Sequence, residues 1–177
     1  MRYSAKVFLA ACLIAAVAAT ATADPVQWPA NGHWYEAISP SPTLTWEQAS
    51  EAAQARTWMG MTGHLATITS QEEQDFIATL LGGDSYFVAG YQDPTSSAPA
   101  DNWHWQTAET WGYTNWSANE PNDYYGPGAE ACLEVYGNTG KWNDVRCIEA
   151  KSYIVEYDGL ASTEPTTWGG IKALFKL

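Results

Sequence analysis

Residues 120–144 constrain this chain more than any other stretch. They open on Glu120-Pro121-Asn122-Asp123, pass through a Tyr- and Gly-containing loop to Glu130, and enter a short apolar run at Cys132. They close on Trp142-Asn143-Asp144, just before Cys147. Two clusters of carboxylates and amides thus flank a segment bracketed by cysteines. Oxygen donors of this kind suit Ca²⁺, which takes about 6 to 8 oxygen ligands in flexible geometry, and the nitrogen and thiolate ligands that zinc prefers are missing from the stretch. Taken singly, Glu120 and Asp144 read as ordinary surface acids. Their joint occurrence with two amides favours a calcium loop whose unfilled coordination positions are open to an outside ligand.

The start of the chain reads as a leader. Arg2 and Lys6 precede an apolar run at residues 7–17, and Ala21-Thr22-Ala23 has the small residues of a cleavage site, the pattern of a secretory signal peptide over residues 1–23. That apolar run is too short for a membrane span. Leu9-Ala10-Ala11-Cys12 also has the residue types of a lipoprotein box, although the apolar run continues past Cys12. Export sets the redox context. With Cys12 removed, Cys132 and Cys147 are an even pair in an oxidising compartment, which implies a disulfide. Closing a loop of this length contributes about 3 kcal/mol in the chain-entropy view.

Charge narrows the partners. The chain has 20 acidic and 8 basic residues, a net charge of −12, and loss of Arg2 and Lys6 makes it more negative still. Nucleic acid is excluded as a natural partner, because phosphate binding needs clustered Lys and Arg. Acidic excess is compatible with cation binding, and equally with plain solubility in a secreted protein. His33, His64 and His104 lie far apart, lack zinc spacing and read as structural or surface residues. Asn115-Trp116-Ser117 matches a glycosylation acceptor, but its neighbouring Trp reads as core.

Along the chain, residues 33–38 are rich in strand formers and are stopped by Pro40 and Pro42. Thr45-Trp46-Glu47-Gln48 is a capping-box pattern for a helix that carries Trp46, Ala49, Ala52, Ala53 and Trp58 and ends near Gly60. Ser70 caps a second helix with Phe76, Ile77, Leu80 and Leu81 as its buried face and Gly82-Gly83 as its stop. Residues 86–91, 103–106, 131–136 and 153–157 read as strands, with Gly90 marking a close backbone approach. Residues 107–130 lack periodicity, and a loop that long is functional or disordered. Trp111, Tyr113 and Trp116 argue for order, since each can anchor the loop to a core. Trp105, Trp116 and Trp142 likewise read as core before they read as ligand platforms. Beyond residue 158 the chain reads as a linker and a short tail in which Trp168, Ile171, Leu174 and Phe175 could share a helix face. Fraying competes there with a docking or sorting role for a partner.

Taken together, residues 32–157 resemble a C-type lectin domain. The resemblance is carried by a strand, two helices, Phe87-Val88-Ala89-Gly90, Asn115-Trp116 leading into Glu120-Pro121-Asn122, Glu130 two residues before Cys132, and Trp142-Asn143-Asp144 before Cys147. It implies one domain over residues 24–158 with an α+β fold: two helices, small antiparallel sheets, pairing of the first and last strands, and a long calcium-binding loop. The ligands it implies are Glu120, Asn122, Glu130, Asn143 and Asp144, with a cis bond before Pro121. An auxiliary calcium site would use Asp93 and Asp123, although Ser97 and Ala131 stand where further acids would be. The family's second disulfide is missing, since its positions match Ala53 and Val155, so apolar packing is expected to replace it.

The resemblance further implies a secreted, non-enzymatic, calcium-dependent carbohydrate-binding protein. Glu-Pro-Asn is associated in that family with the equatorial vicinal hydroxyls of mannose, glucose and fucose. A calcium-stabilised protein- or surface-binding domain using Tyr124 and Tyr125 is the alternative. Glycoside hydrolysis is a remote third, since paired carboxylates can perform it but no separate nucleophile or general acid is evident here. The loop is expected to have too little packing of its own to stay ordered without the ion.

Overall fold

The computed structural model describes residues 24–159 apart from residue 97. The proposed leader, the tail beyond residue 159 and Ser97 lie outside the described residues. The elements in chain order are β1 (Val26–Gln27), β2 (Trp34–Ile38), α1 (Trp46–Gln54), β3 (Thr57–Trp58), β4 (Met61–Leu65), α2 (Gln71–Ala78), β5 (Ser85–Gln92), β6 (Trp103–Trp105), β7 (Cys132–Tyr136), β8 (Trp142–Val145) and β9 (Ser152–Tyr157). The fold is α+β, with two helices packed on a mixed sheet.

Strand β9 is the keystone. All six of its residues are buried, and it pairs antiparallel with β2 and β4 and parallel with β5. The β2 register runs from Trp34↔Tyr157 to Ile38↔Tyr153, so the first long strand of the domain lies against the last. The short parallel register Tyr86↔Ser152 and Phe87↔Tyr153 joins what would otherwise be separate antiparallel ladders. The order is β1-β2-β9-β5-β7-β8, which carries the β7–β8 hairpin to the edge opposite β1.

Both helices begin where their caps predict. Thr45 Oγ1 accepts from the Gln48 backbone N–H while the Gln48 side chain accepts from the Thr45 N–H, satisfying two donors the helix cannot pair internally. Ser70 likewise accepts from the Glu73 N–H. The end of α1 differs from expectation. Met59 and Gly60 both have positive φ, at 49° and 84°, and they turn Thr57-Trp58 back onto Met61-Thr62 as a tight hairpin. Gly60 is therefore a hairpin glycine, and Trp58 belongs to a strand. The buried face of α2 is also rotated from the expected one. Ile77 is buried with Glu73 and Gln74, whereas Phe76, Leu80 and Leu81 are only half-buried, because polar partners fix the two polar residues. Tyr35 Oη donates to Glu73 at 2.6 Å and Trp142 Nε1 donates to Gln74 Oε1 at 2.6 Å.

Ala53 and Val155 are both fully buried, and Gly63 sits between them. A Cβ there would come within 2.7 Å of the Ala53 carbonyl oxygen and of Val155 Cγ1. Close apolar packing occupies the place of the family's second disulfide. Gly90 is tight as well, but what crowds it is a side chain and not a backbone: a Cβ at residue 90 would lie 2.6 Å from Leu133 Cδ2.

Candidate functional site

The site is assembled from three pieces of chain on the β7–β8 edge. The hairpin pairs Leu133↔Asp144 and Glu134↔Asn143, so Asn143 and Asp144 lie on a true strand that their polar character concealed. The disulfide Cys132–Cys147, with Cα atoms 5.2 Å apart, ties the base of this hairpin. Glu120-Pro121 is a cis peptide, and Glu130 lies two residues before the strand pair.

The loop leading in is ordered by aromatic packing. Trp142 is fully buried and meets Trp105, Trp111, Tyr113 and Trp116 at centroid distances of 5.8, 5.8, 5.5 and 5.7 Å. Such ring pairs add about 0.5–1.5 kcal/mol each beyond their buried area. Asn115 is buried, donates to the Gly140 carbonyl at 2.8 Å and accepts from Lys141 Nζ at 2.6 Å. Its amide is a structural tie, which removes it as a glycosylation acceptor in the folded domain.

The insert that follows is held by carboxylates. Asp144 accepts from the backbone N–H groups of Asn122 and Asp123, the latter at 2.7 Å, and Glu130 accepts from that of Tyr124. Asp123 in turn accepts from the Gly128 and Glu130 N–H groups. The insert thus has little apolar packing of its own and is held by carboxylates accepting its backbone N–H groups.

Glu120, Asn122, Tyr124, Tyr125, Glu130 and Asn143 line an open cleft of about 300 Å³, with Asp144 buried behind it. Here the electrostatics are unbalanced. Burial first, and then repulsion from Asp144 and Glu130, push the Glu120 carboxyl up to about 6. Burial also raises the Glu130 carboxyl, with Asp144 and Asp123 adding to it. Glu120 Oε2 is buried without a hydrogen-bond partner, a condition that costs about 1–3 kcal/mol for such a group. Three carboxylates, two amides and one orphaned oxygen around a single opening form a donor set that a hard divalent cation would satisfy.

Glu134, which the sequence did not single out, adds to the wall, and Lys151 supports it from outside the cleft. Asn143 Nδ2 donates to Glu134 Oε1 at 2.9 Å, which orients the amide. Lys151 Nζ sits 2.9 Å from Glu134 Oε2 as an ion pair rather than an aligned hydrogen bond. A charged residue inside the otherwise apolar strand β7 was the available signal. The auxiliary pair is engaged by local backbone and side-chain donors. Asp93 accepts from the Thr95 N–H and hydroxyl at 2.8 and 2.6 Å, and Asp123 closes the insert, so each carboxylate serves its own loop. Among the described residues, the close-set group of three metal-competent His, Cys or acidic side chains lies elsewhere, at His33, Glu156 and Asp158.

The chain matches the Lectin C-type domain over residues 42–157. Halomucin of Haloquadratum walsbyi is 30% identical over 155 residues, which cover 78% of this chain and 2% of Halomucin. C-type lectin domain family 10 member A of Homo sapiens is 28% identical over 150 residues, covering 80% of this chain and 42% of that protein. The chain therefore spans less than half the length of either relative. Among solved structures, the mouse scavenger receptor C-type lectin carbohydrate-recognition domain superposes with a TM-score of 0.58 at 26% identity, over 72% of this chain and 92% of that domain. The domains matched are binding modules and not enzymes. A family match spanning most of the described residues, on a two-helix mixed-sheet fold with a disulfide-closed hairpin, makes this chain a member of the C-type lectin domain family.

Proposed function

We propose that the chain is a secreted, calcium-dependent lectin for mannose-, glucose- or fucose-type sugars, with residues 1–23 as its export leader, residues 24–158 as the binding domain and residues 159–177 as a linker and tail. The observation that carries this reading is the partnerless, buried Glu120 oxygen beside Asp144 and Glu130. Glu120, Asn122, Glu130, Asn143 and Asp144 would hold the ion. Calcium, when bound, would supply coordination positions for two vicinal sugar hydroxyls. The same side chains would serve the sugar directly, carboxylates accepting from hydroxyl O–H groups and amide N–H groups donating to sugar oxygens. Glu134 would keep Asn143 Nδ2 engaged on its far side and leave Oδ1 for the ion. A shallow, open cleft of this kind suits a weak monosaccharide site, with Kd on the order of millimolar, so retention on a surface would draw on multivalency.

The test is retention on immobilised mannose in calcium and release by a chelator. Asn122→Asp is expected to weaken retention about tenfold or more, since it replaces an N–H donor with a second acceptor. Undiminished retention of that variant would remove Asn122 as a sugar contact.

A second reading is favoured by Tyr124 and Tyr125, which are 79% and 57% exposed at the cleft rim. Calcium would then order the loop for a protein or surface partner contacted by this pair. Chelator-sensitive binding to a partner, with no retention on any monosaccharide resin, would select it.

A further inference from the structure

The sheet register gathers a second cluster at the opposite edge of the domain. His33 directly precedes β2, whose Trp34 pairs with Tyr157, so it lies across from Asp158. On the other side of β9, His64 pairs with Glu156. Residues 156 and 158 share a strand face, and the two histidines approach that face from both flanking strands. His33 Nδ1 is 2.6 Å from Glu156 Oε1 and 3.8 Å from Asp158 Oδ1, and His64 Nε2 is 3.0 Å from Asp158 Oδ1.

We propose that His33, Glu156 and Asp158, with His64 holding Asp158 from the other side, form a site for a zinc-like divalent transition-metal ion, distinct from the calcium cleft. Imidazole nitrogens with carboxylate oxygens are the donors such ions select, whereas calcium takes oxygen alone. Two ligands about 2.1 Å from a tetrahedral ion stand about 3.4 Å apart, and the spacings of 2.6 and 3.8 Å from His33 Nδ1 to Glu156 and Asp158 bracket that value. The ligand atoms of His33, Glu156 and Asp158 all lie within 4.8 Å of one another.

The surroundings orient the donors as metal sites require. His64 Nδ1 is 2.9 Å from the Leu65 carbonyl oxygen and its Nε2 is 3.0 Å from Asp158 Oδ1, which steadies that carboxylate. Holding a ligand carboxylate by a hydrogen bond from a neighbouring side chain is the usual outer support of a metal site. Glu156 is almost wholly buried and is held in place by the Tyr35 hydroxyl at 2.8 Å and the Thr67 N–H at 2.9 Å. The Tyr35 hydroxyl is shared with Glu73 at 2.6 Å, leaving several carboxylates around two imidazoles. His33 and Asp158, together with Thr107, Ala108 and Glu109, line an open cleft of about 360 Å³. A metal there would be reachable from solvent and would clip the start of β2 to the end of β9.

Titration of the full mature chain with Zn²⁺, in saturating calcium to occupy the other cleft, tests this. The expected result is one equivalent bound with a raised Tm, and visible absorption of tetrahedral character when Co²⁺ is used in its place. His33→Gln with His64→Gln should weaken Zn²⁺ binding by about 30-fold or more, and Asp158→Asn by about tenfold, with calcium binding unchanged as the control for folding. Asp144→Asn, in the calcium cleft, should leave Zn²⁺ affinity as in the parent. Zn²⁺ affinity unchanged in the double histidine variant would overturn the site. So would a parent affinity weaker than about 0.1 mM, or about −5.5 kcal/mol, which would leave the histidines with salt bridges only.

Discussion

The two halves of the long loop are equally irregular in sequence and are ordered by different physics. Residues 107–118 are fixed by rings. Trp111, Tyr113 and Trp116 close over the buried Trp142, and this hydrophobic order is indifferent to ions. Residues 119–130 bury no large apolar group, and Tyr124 and Tyr125 stand in solvent. Their order comes from Asp144, Glu130 and Asp123 accepting backbone N–H groups. Of those carboxylates, Asp144 and Glu130 are also proposed calcium ligands. The first half is thus a rigid platform, and the second is one whose order is coupled to charge.

The comparison can be broken most severely at the platform. Trp142→Ala is expected to cost about 3–5 kcal/mol in denaturant unfolding, because it removes the ring shared by the loop and the Nε1–H bond to Gln74. Loss of sugar retention should accompany it.

Asp144→Ala should act on the other half. Two backbone N–H donors, of Asn122 and Asp123, lose their acceptor, partly offset by relief of Glu120, for a net of about 1 kcal/mol. Amide exchange at Asn122 and Asp123 should accelerate while exchange around Trp111 and Trp116 stays as in the parent. Uniform acceleration across both halves would dissolve the distinction.

Acid provides a gentler test. Glu120 titrates near 6 in the metal-free domain, above its ordinary 4.5, so the proton favours the folded, ion-free state. Stability without calcium should be greatest below about pH 4.5 as far as this group is concerned, and should decline as pH rises through 6. Calcium should cancel that decline above pH 6 and bind progressively more weakly below it. Melting curves from pH 4.5 to 7, with calcium and with chelator, would show the two profiles converging at the acid end and separating above pH 6. Tyr125→Ser should be the smallest change, within about 0.5 kcal/mol, although it removes the ring beneath the Arg146 guanidinium at 4.2 Å. A shift in glycan preference without a shift in Tm would place Tyr125 at the ligand.

Legibility in the sequence followed the range of the interactions. Thr45 and Ser70 were readable as helix starts because a cap is satisfied within three residues. The end of α1 was not, because Gly60 serves a C-cap or a hairpin turn equally well, and only the pairing of Thr57 with Thr62 decides between them. Strand β8 was hidden behind its polar residues. Asn143 and Asp144 occupy strand positions because Cys132, Leu133, Glu134 and Val135 pair with that segment. Glu134 showed only as a charge inside apolar β7, and its contacts with Asn143 and Lys151 were invisible because these residues are neighbours in space and not along the chain.

By itself, the sequence determined the family, the two capped helices, the disulfide pair and the oxygen-rich composition of residues 120–144, all of which rest on local chemistry or on spacing. Tertiary structure alone decided which oxygens face one cleft, which way the Asn143 amide points, and that His33 and His64, 31 positions apart, meet at one carboxylate. The physical reason is register. A strand presents alternate residues to one face, so which distant side chains meet depends on how β9 pairs with β2 and β4, and that pairing is set by burial of the whole core and not by the residues that meet.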